Sequence, residues 1–136
     1  MKLWLLPITA MFILCDVVVS HADPFEEYRN GHYQAAVKQW QAKAEQGDVR
    51  SESALAGMYY QGKGVEQNIG LALQWYEKAA SQGDAVAQSQ LAVIYEAGYV
   101  VPKDMVKARY WYQKVADGNS YMARFAAATM RELHNP

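Results

Sequence analysis

The chain is short of cysteine, of charge imbalance, of long apolar runs and of catalytic signatures, and each shortage removes a class of protein. Cys15 is the single cysteine among 136 residues, and it lies in the apolar N-terminal stretch. Asp23–Pro136 therefore has none, which excludes disulfides, thiolate metal sites and cysteine nucleophiles there. A domain of this length is large enough to be held by its core alone. The formal net charge is −1, so composition gives no electrostatic case for nucleic acid or an anionic membrane surface. No Gly-rich phosphate loop, Gly-x-Ser-x-Gly or His-Glu-x-x-His occurs. His32 and His134 are isolated and lack ligand spacing. Glu26-Glu27 reads as first-turn complement to a helix dipole rather than an acid–base pair. The expectation is a protein without catalytic residues, metal or cofactor.

What is present begins with a leader. Met1-Lys2 opens the apolar run "LWLLPITAMFILC", and Ser20 and Ala22 stand at −3 and −1 of a cut before Asp23. One basic residue, a short apolar core and small residues near a break describe a secretory signal peptide over 1–22. A membrane anchor needs about 20 apolar residues; this run is shorter, and Pro7 and Asp16 break it. Acylation of Cys15 is opposed by Leu14, which is large where a lipoprotein signal wants a small residue. Cleavage after Ala22 is expected, giving a periplasmic or secreted chain that does not insert in a membrane.

The rest repeats. "WYEKAASQGD" begins at Trp75 and "WYQKVADGNS" at Trp111, 36 residues later. Aligning 46–80 with 82–116 gives 14 identities in 35 positions, where unrelated sequence would give roughly two. A fixed period between 20 and 50 residues marks stacked repeats. Ala72, Trp75, Tyr76 and Ala79 fall at i, i+3, i+4 and i+7, one face of a helix. Leu55 and Tyr59 do likewise at i, i+4. The helical spacing and exact repetition of Trp75, Tyr76, Trp111 and Tyr112 make them core rather than a ligand-stacking cluster.

Breaks recur at the same period. Gly62 and Gly98 suit the left-handed residue that ends a helix, and Gly47, Gly83 and Gly118 suit the same role one helix later. Asp48, Asp84 and Asn119 follow as N-caps, with Asn68 and Asp104 capping the second helices. Helices are expected at about 49–61, 69–82, 85–97, 105–117 and 120–134. Upstream, Asp23 caps a short helix that starts at Pro24 and ends at Gly31. Ala36, Trp40 and Ala44 of the next helix sit one period before Ala72, Tyr76 and Ala80. The expected division is a leader 1–22, a hairpin 23–47, repeats 48–83 and 84–118, and a terminal helix 119–134 without a partner. The class is all-α, a short α-solenoid of stacked antiparallel helical hairpins.

"LAGMYYQGKGVEQNIGLALQWYEKAASQG" (55–83) and "LAVIYEAGYVVPKDMVKARYWYQKVADG" (91–118) resemble the Sel-one-like repeat, a relative of the tetratricopeptide repeat. Leu71 departs from the pattern where Lys107 keeps it, and Val100 replaces the loop glycine Gly64, which puts the second loop's shape in question. The hairpin at 25–46 is more similar to a tetratricopeptide unit, with His32 a weaker cap than the usual Asp. The resemblance spans about 23–134. It implies a protein-binding α-solenoid, of a kind that bacteria often export.

In such a stack, columns that repeat serve packing and columns that vary are open to partners. If the first helix of each pair follows tetratricopeptide geometry, the concave face carries Arg50, Ser53, Tyr60 and Gln61 in the first repeat. In the second it carries Val86, Ser89, Gln90, Val93 and Glu96, and in the last helix Met122, Phe125, Thr129 and Glu132. Tyr60 and Phe125 are its apolar anchors, and aromatic residues concentrate at binding hot spots. Tyr60 and Glu96 share a column and are expected to face each other across the groove. The partner is then another protein. The expected function is an exported adaptor or regulator that binds it, with weak self-association through the terminal helix as an accompaniment. An immunity protein against a periplasm-acting toxin is the sharper alternative. A cell-wall or β-lactam-related enzyme is the distant one, for want of a nucleophile and base.

Overall fold

The structure, a computed structural model, describes residues 23–118, 124 and 128–132. The expected leader 1–22 with its expected cut site, the expected cap Asn119, and Met122 and Phe125 lie outside the described residues. Helices α1 (Pro24–Arg29), α2 (Tyr33–Glu45), α3 (Val49–Gln61), α4 (Ile69–Ser81), α5 (Ala85–Ala97) and α6 (Met105–Asp117) follow in order. Residues 128–132 are helical as well. No strand occurs among the described residues. Each helix packs chiefly on its neighbours in sequence, so the chain is an all-α stack of hairpins. Helices 49–61, 85–97 and 105–117 stand as the periodicity places them, and the one beginning at 69 ends one residue early, at Ser81.

Local chemistry sets these boundaries. Asp48 accepts from the Ser51 N–H at 3.0 Å, Asn68 from Leu71 at 3.0 Å, Asp84 from Ala87 at 2.7 Å, and Asp104 from Val106 and Lys107 at 3.1 and 3.0 Å. Each bond satisfies an amide that the first turn leaves without a helical partner, worth about 1 kcal/mol. His32 makes no cap bond; its Nδ1 lies 2.8 Å from Glu27 Oε2 instead. Gly62 and Gly98 close the first helices at φ 67° and 68°, a left-handed conformation that costs other residues a Cβ clash.

Two departures follow from single residues. Gly118 ends α6 at φ −75°, not left-handed like Gly47 and Gly83, because it occupies the column of Gln82 rather than Gly83. Val100 takes the place of Gly64 without a positive φ. Gly64 needs its glycine because a Cβ there would come within 2.6 Å of the Tyr33 backbone. Val100 instead turns outward, 41% exposed. The bond that closes each loop survives: Asn68 N–H donates to Tyr59 O at 3.0 Å, and Asp104 N–H to Tyr95 O at 2.9 Å.

The core forms two clusters divided by α3. Ala36, Val37, Trp40, Ala44, Leu55 and Met58 make the first. Ala56, Tyr76, Ala80, Leu91, Ala92, Ile94, Ala108, Tyr112 and Val115 belong to the second. Leu55 and Leu91 are fully buried, each contributing roughly 1.5–3 kcal/mol. In the Trp-Tyr pairs the tyrosines are buried and the tryptophans half-buried. A residue one step along a helix is turned by about 100°, which carries Trp75 off the core face to the seam, where it touches both clusters.

Candidate partner-binding face

The first helices bury one side and present the other. In α3 the buried residues are Ser51, Glu52, Ser53, Leu55, Ala56 and Met58; in α5 they are Ala87, Gln88, Leu91, Ala92, Ile94 and Tyr95. Opposite them runs a strip at i, i+4, i+7 and i+11. It reads Arg50, Ala54, Gly57 and Gln61 on α3, and Val86, Gln90, Val93 and Ala97 on α5, all exposed or half-buried. Of the expected positions, Arg50, Gln61, Val86, Gln90 and Val93 lie on this strip. Ala54, Gly57 and Ala97 also lie there, signalled only by the helical period.

Four expected contact residues are occupied by packing instead. Ser53 is 8% exposed, so a partner cannot reach its hydroxyl. The Ser89 hydroxyl donates to Ala85 O at 2.8 Å, back along its own helix. Tyr60 is half-buried against the second cluster, and its carbonyl accepts from Gln67 Nε2 at 2.8 Å. Glu96 accepts from the Tyr112 hydroxyl at 2.6 Å. Tyr60 and Glu96 thus each work within their own repeat, against Tyr76 and Tyr112. Varying columns include these internal contacts, which is why variation alone overcounts the face. Thr129 is half-buried and Glu132 exposed.

The buried tyrosines feel this environment. Burial, with Tyr60 and Asp84 nearby, pushes Tyr76 up to about 12. Tyr112 is raised by burial and by its bond to Glu96, and Tyr95 by burial and Glu77. Among the described residues no group of three His, Cys, Asp or Glu is placed so that it could hold a metal ion, and no helix there is long and apolar enough to cross a membrane.

Apolar exposure is uneven. Among the described residues, the large apolar ones that stand open are Val86, Val93, Tyr99, Val100, Val106 and Tyr110. One period earlier their places are held by Arg50, Gly57, Lys63, Gly64, Gly70 and Gln74. The second repeat has thus replaced polar residues and glycine with apolar ones at exposed positions.

A fold of stacked helical hairpins with a periodic core and an open first-helix strip defines a repeat scaffold. The Sel1 repeat family model matches residues 49–84 and 85–120, more than half of the chain, and the chain belongs to that family. A Sel1 repeat protein from Oxalobacter formigenes is similar at 37% identity and TM-score 0.66, over 71% of this chain and 40% of its own. The protein c5321, a protective antigen of uropathogenic Escherichia coli strains with an SLR fold, is similar at 31% identity and TM-score 0.63, over 69% of this chain and 21% of its own. The chain thus spans less than half the length of these relatives. No curated protein matches it. Sel1 repeat proteins are generally protein–protein interaction modules.

Proposed function

We propose that this protein is an exported, periplasmic adaptor or regulator that binds one protein partner along the open strip of α3 and α5, without catalysing a reaction. The observation that carries it is the strip on α5: Val86 and Val93 are 55% and 50% exposed where the first repeat has Arg50 and Gly57. Apolar side chains held open by a well-packed helix mark interaction surfaces. Export rests on the leader sequence, and similarity to a protective antigen accords with it. Quantitative co-purification from the periplasm tests the binding. Val86→Asp with Val93→Asp should deplete a co-purifying protein at least tenfold, and Gln74→Asp on α4 should not. Equal recovery from both variants contradicts the reading. Intact mass of the exported chain should begin at Asp23, and a full-length chain held in the membrane would contradict export.

A further inference from the structure

Where α1, the end of α2 and the start of α3 meet, a pocket of about 360 Å³ is lined by Arg29, Lys43 and Arg50 together with Asp23 and Asp48. The two carboxylates are engaged. Asp23 accepts from the Phe25 N–H at 3.2 Å, and Asp48 from the Ser51 N–H and hydroxyl. The three cations are not. None of them makes an ion pair with a described residue. Arg50 is held in place by its guanidinium, 4.4 Å from the centre of the Phe25 ring, a contact that fixes the head group without consuming its charge-assisted hydrogen bonds. Arg50 also opens the exposed strip of α3, so the pocket is continuous with the proposed partner face.

We infer that this pocket binds a side-chain carboxylate, an Asp or Glu of the partner segment that lies on the strip. The inference deepens the proposed function and rests on it for the source of the ligand. Charge selects an anion: the three cations outnumber the two capping carboxylates by one, and the α-amino group that cleavage before Asp23 exposes adds to that excess. On a protein partner that anion is an Asp or Glu carboxylate, and free phosphate is the competing ligand that the titration separates from it. A guanidinium also fits a carboxylate in a two-point fork.

The test is NMR titration of the purified chain, following the arginine side-chain and Ser51 amide signals. The probes are acetyl-Gly-Glu-Gly-amide, its Gln analogue and inorganic phosphate. The Glu peptide should move the Arg29, Arg50 and Ser51 signals saturably, and the Gln peptide should not. Arg50→Gln and Lys43→Gln should each weaken the Glu peptide at least fivefold with unchanged melting temperature. Lys43 makes no ring contact among the described residues, so its variant decides the matter if Arg50→Gln loosens Phe25. No shift, equal shifts from the Gln peptide, phosphate binding at least as tightly, or insensitivity to both substitutions overturns the assignment. If a partner depends on Val86 and Val93 but the peptide leaves Arg50 unmoved, this inference alone falls. If the peptide titrates while no partner depends on the strip, the pocket stands and the proposed function falls.

Discussion

Tyr76 and Tyr112 fill one column of the repeat, yet their hydroxyls meet different surroundings. Tyr112 donates to Glu96, while Tyr76 lies near Tyr60, the residue that holds the same column as Glu96. A hydrogen bond to a half-buried carboxylate is worth about 1–2 kcal/mol. Tyr112→Phe should therefore lower stability by about that amount in chemical denaturation, and Tyr76→Phe by less. An unfolded tyrosine ionises near 10, but folding raises Tyr76 to about 12 and raises Tyr95 and Tyr112 too. Above pH 10 the unfolded chain gives up protons that the folded chain keeps. Stability is thus intact below pH 10 and falls as pH rises from 10 towards 12. Phenolate absorbance should show a late-titrating group of tyrosines whose ionisation coincides with loss of helicity by circular dichroism. Ionisation of every tyrosine near 10 with helices intact would refute it. The role of Glu96 was not legible in the sequence, because a glutamate in a varying column looks the same whether it faces solvent or a buried hydroxyl.

Between elements, α3 and α4 are joined by a buried carboxylate. Glu52 is fully buried, and Lys78 Nζ lies 2.7 Å from its Oε1 while Gln82 Nε2 donates to its Oε2 at 2.7 Å. Lys78 also lies over Trp75, 4.8 Å from the ring centre. One repeat later Gln88 takes Glu52's column and its amide donates to Ala80 O at 3.0 Å, so the site accepts a neutral side chain. Removing one member of a buried pair strands the other charge at about 3–5 kcal/mol. Lys78→Ala should cost about 3 kcal/mol, near the lower end because Gln82 remains and Lys78 is half exposed, and Glu52→Gln clearly less. Adding Glu52→Gln to Lys78→Ala should recover part of the loss, and strict additivity in a double-mutant cycle would show the pair is uncoupled. Trp75 touches both core clusters and Trp111 one, so Trp75→Ala should cost more, about 2–3 kcal/mol, in the same assay. Helix ends and caps were legible because Asp, Asn and Gly act locally, through bonds to amides two or three residues away. The tryptophans' half-burial was not, since helical spacing gives a residue's angle on its own helix but not how far the neighbour reaches round it.

For the molecule as a whole, repetition made the fold readable: a 36-residue period commits every hairpin to the same packing, so one reading of helix faces serves the whole stack. The proposed partner face rests on departures from the repeat, and these are legible only once packing has been subtracted. Arg50, Gln90 and Val93 survive that subtraction; Ser53, Ser89 and Glu96 do not. The central claim, that a protein partner lies on the open strip of the first helices, is tested most directly by photo-crosslinking in living cells. A crosslinking amino acid would be placed in turn at Gln61, Gln90 and Val93 on the strip and at Gln74 and Tyr110 on the second helices, all exposed, with products identified by mass spectrometry. The account predicts that one protein is captured from Gln90 and Val93, with a weaker product from Gln61 and none from Gln74. Capture from Gln74 and Tyr110 with none from the strip would contradict it.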